Sequence, residues 1–235
     1  MRLLLTSFVP YAGRYSRLES KMTFSLVARC TRTGHLGVAV ATSSVAVGGR
    51  SAAIDGKVAV VATQNRTDPS IGPRLIAALA AGTAAGAALD AVIAGTVSPE
   101  WRQVAAVTAG GEIVTFHGAR CSGIHAEARG VDCAAVGNIL ANTGVPSAMV
   151  AAFESADGPL EHRLVAALKA GDAAGGELKP LRSAALRVAG AEPFPWCDLR
   201  VDAAEDPIGK LEALLAEWDS VAPTVHHWAV DPGSV

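Results

Sequence analysis

Polar side chains suited to acyl transfer lie at the ends of two predicted strands. They are hydroxyls after the second strand, and a hydroxyl and two amides at the end of the third: Ser43, Ser44, Thr63, Gln64 and Asn65. A hydroxyl can orient a nucleophile or hold a substrate, and an amide N–H group can stabilise an oxyanion. We therefore predict that these residues bind substrate. The alternative is that they only form polar turns and anchor loops.

His125 and Glu127 lie in a glycine-rich segment, residues 118–130, that is predicted as a loop. Their H-x-E spacing matches half of a zinc-deaminase signature, but the P-C-x-x-C half is missing. The six histidines of the chain show no recognisable ligand spacing, so no metal site is predicted. Because loops carry function more often than core positions do, we predict that His125 and Glu127 line a substrate pocket.

The elements that position these residues follow from the hydrophobic pattern. Strands are predicted at residues 23–29, 35–42, 57–64, 103–108, 112–117, 133–137, 183–189 and 196–201. The first two are joined by the turn-rich residues 30–34, which is typical of a hairpin. Residues 57–64 are nearly continuous in apolar side chains, as expected of a strand covered on both faces.

Helices are predicted at residues 69–81, 83–94, 146–155, 160–170 and 208–218. Runs of strands separated by pairs of helices indicate one α+β domain with helices packed on sheet faces. We place this domain at residues 22–218, followed by a C-terminal tail at residues 219–235.

The composition excludes several classes of protein. The chain has 235 residues, of which 50% are hydrophobic, and a formal net charge of −2. This apolar content supports a real core, and the charge balance offers no basic surface for nucleic acid or an anionic membrane. The four cysteines form no CxxC pair, and no apolar run reaches the about 20 residues of a clean membrane span. We predict free thiols, a cytoplasmic location, and no nucleic-acid or membrane partner.

The first 21 residues do not share the pattern of the rest. Arg2 precedes an apolar run, but that run contains Thr6 and Ser7 and stops at Pro10, with no cleavage site after it. Three interpretations stay open: a signal peptide, a removable propeptide, or a mis-assigned start with translation beginning at Met22. The choice decides which residue becomes the N terminus.

Ordered sequence blocks carry a resemblance to a known family. They include MTFSLVAR (22–29), TGHLGVAVAT (33–42), VATQNRTDPSIGPR (61–74), RQVAAV (102–107) and DLRVD (198–202). Together they resemble the family catalogued as domain of unknown function 1028, whose fold is Ntn-hydrolase-like. The resemblance runs from Met22 to about Leu215 and implies a four-layer αββα sandwich whose first strand starts at the active site.

The resemblance also implies catalytic residues. In Ntn hydrolases an N-terminal Thr, Ser or Cys is the nucleophile and its own α-amino group is the base. Removal of Met22 from a chain started there would leave Thr23 in that position, and Asn138, which follows Gly137 at a strand end, would be an oxyanion donor. Without the resemblance, Thr23 is an ordinary strand residue. Part of the family has Lys where this chain has Ser43, so lysine-assisted activation is not carried over.

We therefore expect an Ntn-type amidohydrolase that cleaves a C–N bond of a small amide, cyclic amide or ureido compound. This chemistry requires a small-molecule substrate and no metal or organic cofactor. The alternative is a non-catalytic binding or assembly protein that retains the Ntn fold, as a homo-oligomer.

Overall fold

The computed structural model describes residues 23–233. The predicted leader, residues 1–21, lies outside the described residues, as do Met22 and residues 234–235. The strands are β1 Thr23–Arg29, β2 Leu36–Thr42, β3 Ala52–Asp55, β4 Ala59–Asn65, β5 Arg102–Thr108, β6 Ile113–His117, β7 Ala126–Gly130, β8 Cys133–Asn138, β9 Ser183–Ala189 and β10 Pro195–Val201. The α-helices are α1 Ile71–Ala80, α2 Ala85–Ala94, α3 Val145–Ser155, α4 Leu160–Ala173 and α5 Pro207–Val230.

Two antiparallel sheets organise these elements. The larger has six strands in the order β10-β9-β2-β1-β8-β7, and the smaller has four in the order β3-β4-β5-β6. The predicted hairpin of the first two strands is confirmed, with Thr23 opposite Thr42 and Arg29 opposite Leu36. The predicted α+β class is therefore confirmed as two antiparallel sheets with five α-helices in the described residues.

Three large clusters of buried residues hold the sheets and helices together, beside a small one formed by Val40, Val47 and Ala185. One joins the larger sheet to α3, α4 and α5 and includes Phe24 and Phe153. A second, which includes Val27 and Val60, lies between the sheets, and a third joins the smaller sheet to α1 and α2. Since β4 contributes Val60 to one cluster and Val61 to the other, the prediction that this strand is covered on both faces is confirmed.

Two strands were not predicted from the sequence. β3 has only four residues and lies at an edge of the smaller sheet. β7 is an edge strand of the larger sheet and crosses the segment predicted as a loop, so the loop assignment of His125 and Glu127 is wrong for Glu127. The alternation in β7 is weak because its inward residues are only Ala126 and Ala128.

The last helix is longer than predicted and continues through the segment expected to be a tail. It ends at Val230, although it contains Pro223. The proline is exposed while its neighbour Ala222 is buried. Further along, the ring of His226 packs edge-on against Trp196 of β10, with 4.6 Å between centroids. Contacts with β10 therefore support the helix beyond a residue that usually ends one.

Candidate active site

Thr23 begins the central strand β1 and lies between residues of both neighbouring strands. Its Cα partners are Thr42 on β2 and Asn138 on β8. Directly opposed residues share one face of a sheet, so all three side chains point towards the smaller sheet. The Thr23 hydroxyl donates to Oγ1 of Thr42 at 3.3 Å, and Thr23 is only 6% exposed. These three residues close one end of the apolar layer between the sheets.

Gln64 reaches this group from the smaller sheet. Its Oε1 accepts a hydrogen bond from Ser25 Oγ at 2.8 Å, and its Nε2 lies 3.3 Å from the carbonyl oxygen of Thr23. The same Nε2 donates to Oε1 of Gln103 at 2.7 Å. Gln64, on β4 of the smaller sheet, therefore connects β1 of the larger sheet to β5 of its own sheet.

Gln103 is the centre of the buried hydrogen-bond network. Its Oε1 accepts from Gln64 and, at 3.0 Å, from Nδ2 of Asn138. Its Nε2 lies 2.9 Å from the carbonyl oxygen of Gly137 and 3.0 Å from Nδ1 of His117. Both lone pairs and both N–H groups of the amide are thereby used. Reversing the amide would set donors against donors, so the orientation of Gln103 is fixed by its partners.

His117 extends the network towards the surface. Because its Nδ1 faces an N–H group of Gln103, that nitrogen accepts and the ring proton lies on Nε2. Nε2 lies 2.8 Å from Oε2 of Glu127, whose Oε1 accepts from Arg129. Burial opposes ionisation of Glu127, but hydrogen bonds from Thr115 and His117 and the charge of Arg129 outweigh it and lower its pKa. An ionised carboxylate is therefore connected through His117 and Gln103 to Asn138.

Asn138 is fully buried and retains unused hydrogen-bonding capacity. Nδ2 carries a second N–H group besides the one that donates to Gln103. Within residues 23–233, its Oδ1 is buried and finds no hydrogen-bond partner. Buried polar groups are nearly always paired, so an unpaired one beside Thr23 marks a position where a ligand atom could bind.

The residues that follow Gln64 and Asn138 share an uncommon backbone conformation. Asn65 follows Gln64 with φ +67°, and Ile139 follows Asn138 with φ +51°. A left-handed conformation is tolerated by Asn but is a genuine outlier for a β-branched residue such as Ile. Such strain costs on the order of 1–3 kcal/mol and is concentrated at functional sites.

Ser43 lies next to a carboxyl group that comes from a distant part of the chain. Its backbone N–H donates to Oε2 of Glu177 at 2.9 Å. Burial raises the pKa of Glu177 to about 8, against hydrogen bonds from the backbone and side chain of Ser43, and the charge of Asp172 raises it further. Ser44 instead supports the loop after β2, because its carbonyl oxygen accepts from Ser183 Oγ at 2.6 Å.

The other predicted substrate-binding residues lie outside this hydrogen-bond network. The Thr63 hydroxyl is 3.5 Å from the carbonyl oxygen of Asp68, and Asn65 donates to the carbonyl oxygen of Trp101 at 2.7 Å. His125 is exposed and stacks on His117 with 5.9 Å between ring centroids. The structure thus brings together Thr23, Asn138, Gln64 and Glu127, whereas Thr63 and Asn65 anchor the loop after β4.

Two residues of the site were missed from the sequence. Gln103 is the second residue of β5 and precedes four apolar residues, and an amide on the inward face of such a strand is a signal that could have identified it. Glu177 lies in a glycine-rich segment after α4 and forms a single bridge with Leu140, so nothing local marks it. Its relation to Ser43 exists only in the fold, since 134 positions separate them.

A cavity of about 450 Å³ lies at the opposite end of the strands from Thr23. It is lined by residues of the β3–β4 turn and of β9 and β10, including Asp55, Lys57, Arg187, Phe194 and Asp198. Arg187 and Asp198 already form an ion pair at 2.6 Å. Because the residues that line this cavity include no Ser, Thr or Cys nucleophile and no unpaired buried amide, we assign the candidate site to Thr23 instead.

The segment 23–233 contains no group of three or more His, Cys, Asp or Glu residues arranged to hold a metal ion. None of its helices is both long and apolar enough to cross a membrane. Cys30, Cys121, Cys133 and Cys197 are buried free thiols.

Comparison with known proteins identifies similarity over most of the chain. The model of a family of unknown function, DUF1028, matches residues 23–211. The structure is similar to the crystal structure of protein SPO2555 from Silicibacter pomeroyi, which is assigned to the same family model. The TM-score is 0.79 at 32% sequence identity, covering 84% of this chain and 86% of that chain. No protein of curated function matches this chain.

Proposed function

We propose that this chain, which belongs to the family of unknown function DUF1028, is an Ntn-type hydrolase with an αββα sandwich and Thr23 as its nucleophile. The reaction is hydrolysis of a C–N bond in a small amide, cyclic amide or ureido compound. The mature enzyme begins at Thr23, because only a free α-amino group can act as the base beside its own hydroxyl.

The observation that carries this proposal is the placement of the Thr23 hydroxyl. It lies at the head of the central strand, buried, and donates to Thr42 at 3.3 Å, in the same group as Asn138, whose Nδ2 carries a second N–H group besides the one that donates to Gln103. A threonine hydroxyl is a poor nucleophile unless a base lies within hydrogen-bonding reach. An α-amine has an ordinary pKa of about 7.7–8.0, which suits that role near neutral pH.

The reaction follows from these groups. Oγ1 of Thr23 attacks the substrate carbonyl carbon while the α-amino nitrogen accepts the hydroxyl proton. The oxyanion that forms accepts a hydrogen bond from the second N–H group of Asn138 Nδ2. The hydrogen bond from Nδ2 to Gln103 sets the orientation of the Asn138 amide. The ammonium then gives its proton to the leaving nitrogen, the C–N bond breaks, and an ester on Thr23 remains.

Water completes the cycle. The α-amine accepts a proton from a water molecule as the water oxygen attacks the ester carbonyl. Collapse of the second tetrahedral intermediate releases the acid, and the proton returns to Oγ1 of Thr23. Each step uses the same base and the same oxyanion donor, so the reaction needs no group beyond the residues named here.

Labelling with an acylating probe tests this proposal. A β-lactone should form an ester with Thr23 in the mature protein, identified by tandem mass spectrometry of the N-terminal peptide. Thr23→Ala should abolish the label, whereas Thr31→Ala, which changes an exposed turn threonine, should retain it. Equal labelling of the Thr23→Ala variant would reject Thr23 as the nucleophile. Absence of any label would favour a non-catalytic binding or assembly protein.

A further inference from the structure

We infer that the carboxylate of Glu177 binds the α-amino group of Thr23 and holds it beside the Thr23 hydroxyl. This inference rests on the proposed function, because it requires the chain to begin at Thr23. Glu177 is here a positioning residue: it contacts the base and not the substrate.

The placement of Glu177 follows from contacts on both sides of β1. On the β2 side, its Oε2 accepts from the backbone N–H of Ser43, the residue after Thr42. On the β8 side, Glu177 forms a bridge with Leu140, two residues after Asn138. The neighbouring backbone N–H of Ala141 also donates to Gly176 at 3.1 Å.

These two contacts place Glu177 at the end of β1 where the Thr23 nitrogen lies. Thr23 is opposite Thr42 on one side and Asn138 on the other. In an antiparallel sheet, the positions just beyond Thr42 and Asn138 flank the backbone that enters Thr23. Glu177 contacts the chain just beyond each of those partners, so it spans the start of the central strand.

One oxygen of the Glu177 carboxyl lacks a hydrogen-bond donor among the described residues, and an amine would supply one. Oε2 is paired with Ser43, but Oε1 is buried and has no partner among the described residues. A buried, half-satisfied carboxyl is costly unless an opposite charge pairs with it. An α-ammonium group supplies both a positive charge and three N–H donors, so cleavage before Thr23 creates the missing partner.

The electrostatic environment agrees with this geometry. Burial raises the pKa of Glu177 to about 8, and Asp172, at the end of α4, adds to the shift. Asp172 in turn has its pKa raised by burial and by Asp206, just before α5. The charge of Asp172 that acts on this carboxyl is negative, and a cation at Thr23 would offset its effect. During the reaction, the carboxylate stabilises the ammonium that forms when the amine accepts the Oγ1 proton.

Titration of the α-amine tests the inference without any substrate. Protein cleaved between Met22 and Thr23 is acetylated at its N terminus over a range of pH, and the rate gives the amine pKa. The carboxylate should hold this pKa above its ordinary value, and Glu177→Gln should lower it by about one unit. The matched control Glu112→Gln, in the exposed turn before β6, should leave it unchanged. Equal amine pKa values in the parent and Glu177→Gln would overturn the inference.

A second measurement needs no variant. The Glu177 carboxyl is titrated by ¹³C NMR in the full-length and cleaved proteins, and pairing predicts a lower pKa after cleavage. An unchanged value would overturn the inference. The outcome is also distinguishable from that of the proposed function. Acylation of Thr23 with no effect of Glu177 rejects only the pairing, whereas pairing without acylation rejects only the hydrolase.

Discussion

Gln103 and His117 are cross-strand partners on β5 and β6, and each determines the hydrogen-bonding state of the other. The Gln103 amide is oriented by three buried partners, so its Nε2 must donate to His117. His117 must then donate from its other nitrogen to Glu127. A hydrogen-bonded chain consequently runs from an ionised carboxylate near the surface to the amide beside Thr23.

The tautomer of His117 is the first testable consequence. Neutral His117 should carry its proton on Nε2, because Nδ1 accepts from Gln103 at 3.0 Å. The ¹⁵N chemical shifts of the ring, recorded in alkaline solution, distinguish the two tautomers. In Gln103→Leu only the Glu127 carboxylate still favours the Nε2 proton, so the other tautomer should be more populated than in the parent protein. A proton found on Nδ1 in the parent protein would contradict the arrangement of the network.

Removal of the Gln103 amide should destabilise the fold. Gln103→Leu keeps the approximate size of the side chain but leaves donors of Gln64 and Asn138 without their acceptor. Since each unpaired buried group costs about 1–3 kcal/mol, we expect a loss of about 2–4 kcal/mol in the free energy of unfolding, measured with urea. Asn142→Leu, a matched change at an exposed amide, should cost less than about 1 kcal/mol. Similar losses in both variants would show that Gln103 is not special.

Thr42 should affect the reactivity of Thr23 more than the stability of the protein. Thr42→Val keeps the shape of the side chain but removes the oxygen that accepts from the Thr23 hydroxyl. One such bond contributes about 0.5–1.5 kcal/mol, so acylation of Thr23 should slow by roughly two- to tenfold. The matched control is Thr108→Val, which removes a buried hydroxyl at the end of β5 remote from Gln103. That hydroxyl accepts from the backbone N–H of Glu112. Equal slowing by both variants would argue against a role for Thr42.

The dependence of stability on pH should reveal Glu177 in the full-length chain. Burial raises its pKa from 4.5 to about 8, so between these values the folded protein holds a proton that the unfolded chain has lost. The stability due to this group is therefore complete below about pH 4.5 and declines as pH rises towards 8. Glu177→Gln should remove that decline. Above pH 8, the free energy of unfolding of the variant should exceed that of the parent by at least about 1 kcal/mol.

Urea unfolding of the parent and of Glu177→Gln across this pH range gives the comparison. Glu112→Gln, which changes an exposed carboxylate, should retain the decline of the parent. If the curves of the parent and Glu177→Gln are parallel, the carboxyl of Glu177 is not buried as described.

The sequence predicted the strands that carry the site better than it predicted the hydrogen bonds between the site residues. The hairpin of β1 and β2 was readable because alternating or continuous apolar residues flank a turn. The placement of Thr23 beside Thr42 follows directly from that hairpin. Edge strand β7 was not readable, because its inward residues are alanines and its outward residues, Glu127 and Arg129, are also typical of a loop.

Contacts between distant segments explain the rest. Gln103 hydrogen-bonds to three strands only because β5 directs its odd-numbered residues towards the larger sheet. The packing of the two sheets determines which face of β5 is turned inward. Glu177 reaches Ser43 because the segment after α4 crosses the ends of β2 and β8. Neither relationship has a local pattern, since spacing along a chain does not encode which strand ends meet.

The central claim is that the protein acts with Thr23 as its N-terminal residue. The most direct measurement is the intact mass of the protein purified from its native host, together with the sequence of its N-terminal peptide. The account predicts a mature chain that begins at Thr23. A mature chain that begins before Thr23 would leave the residue without a free α-amine and would contradict the mechanism.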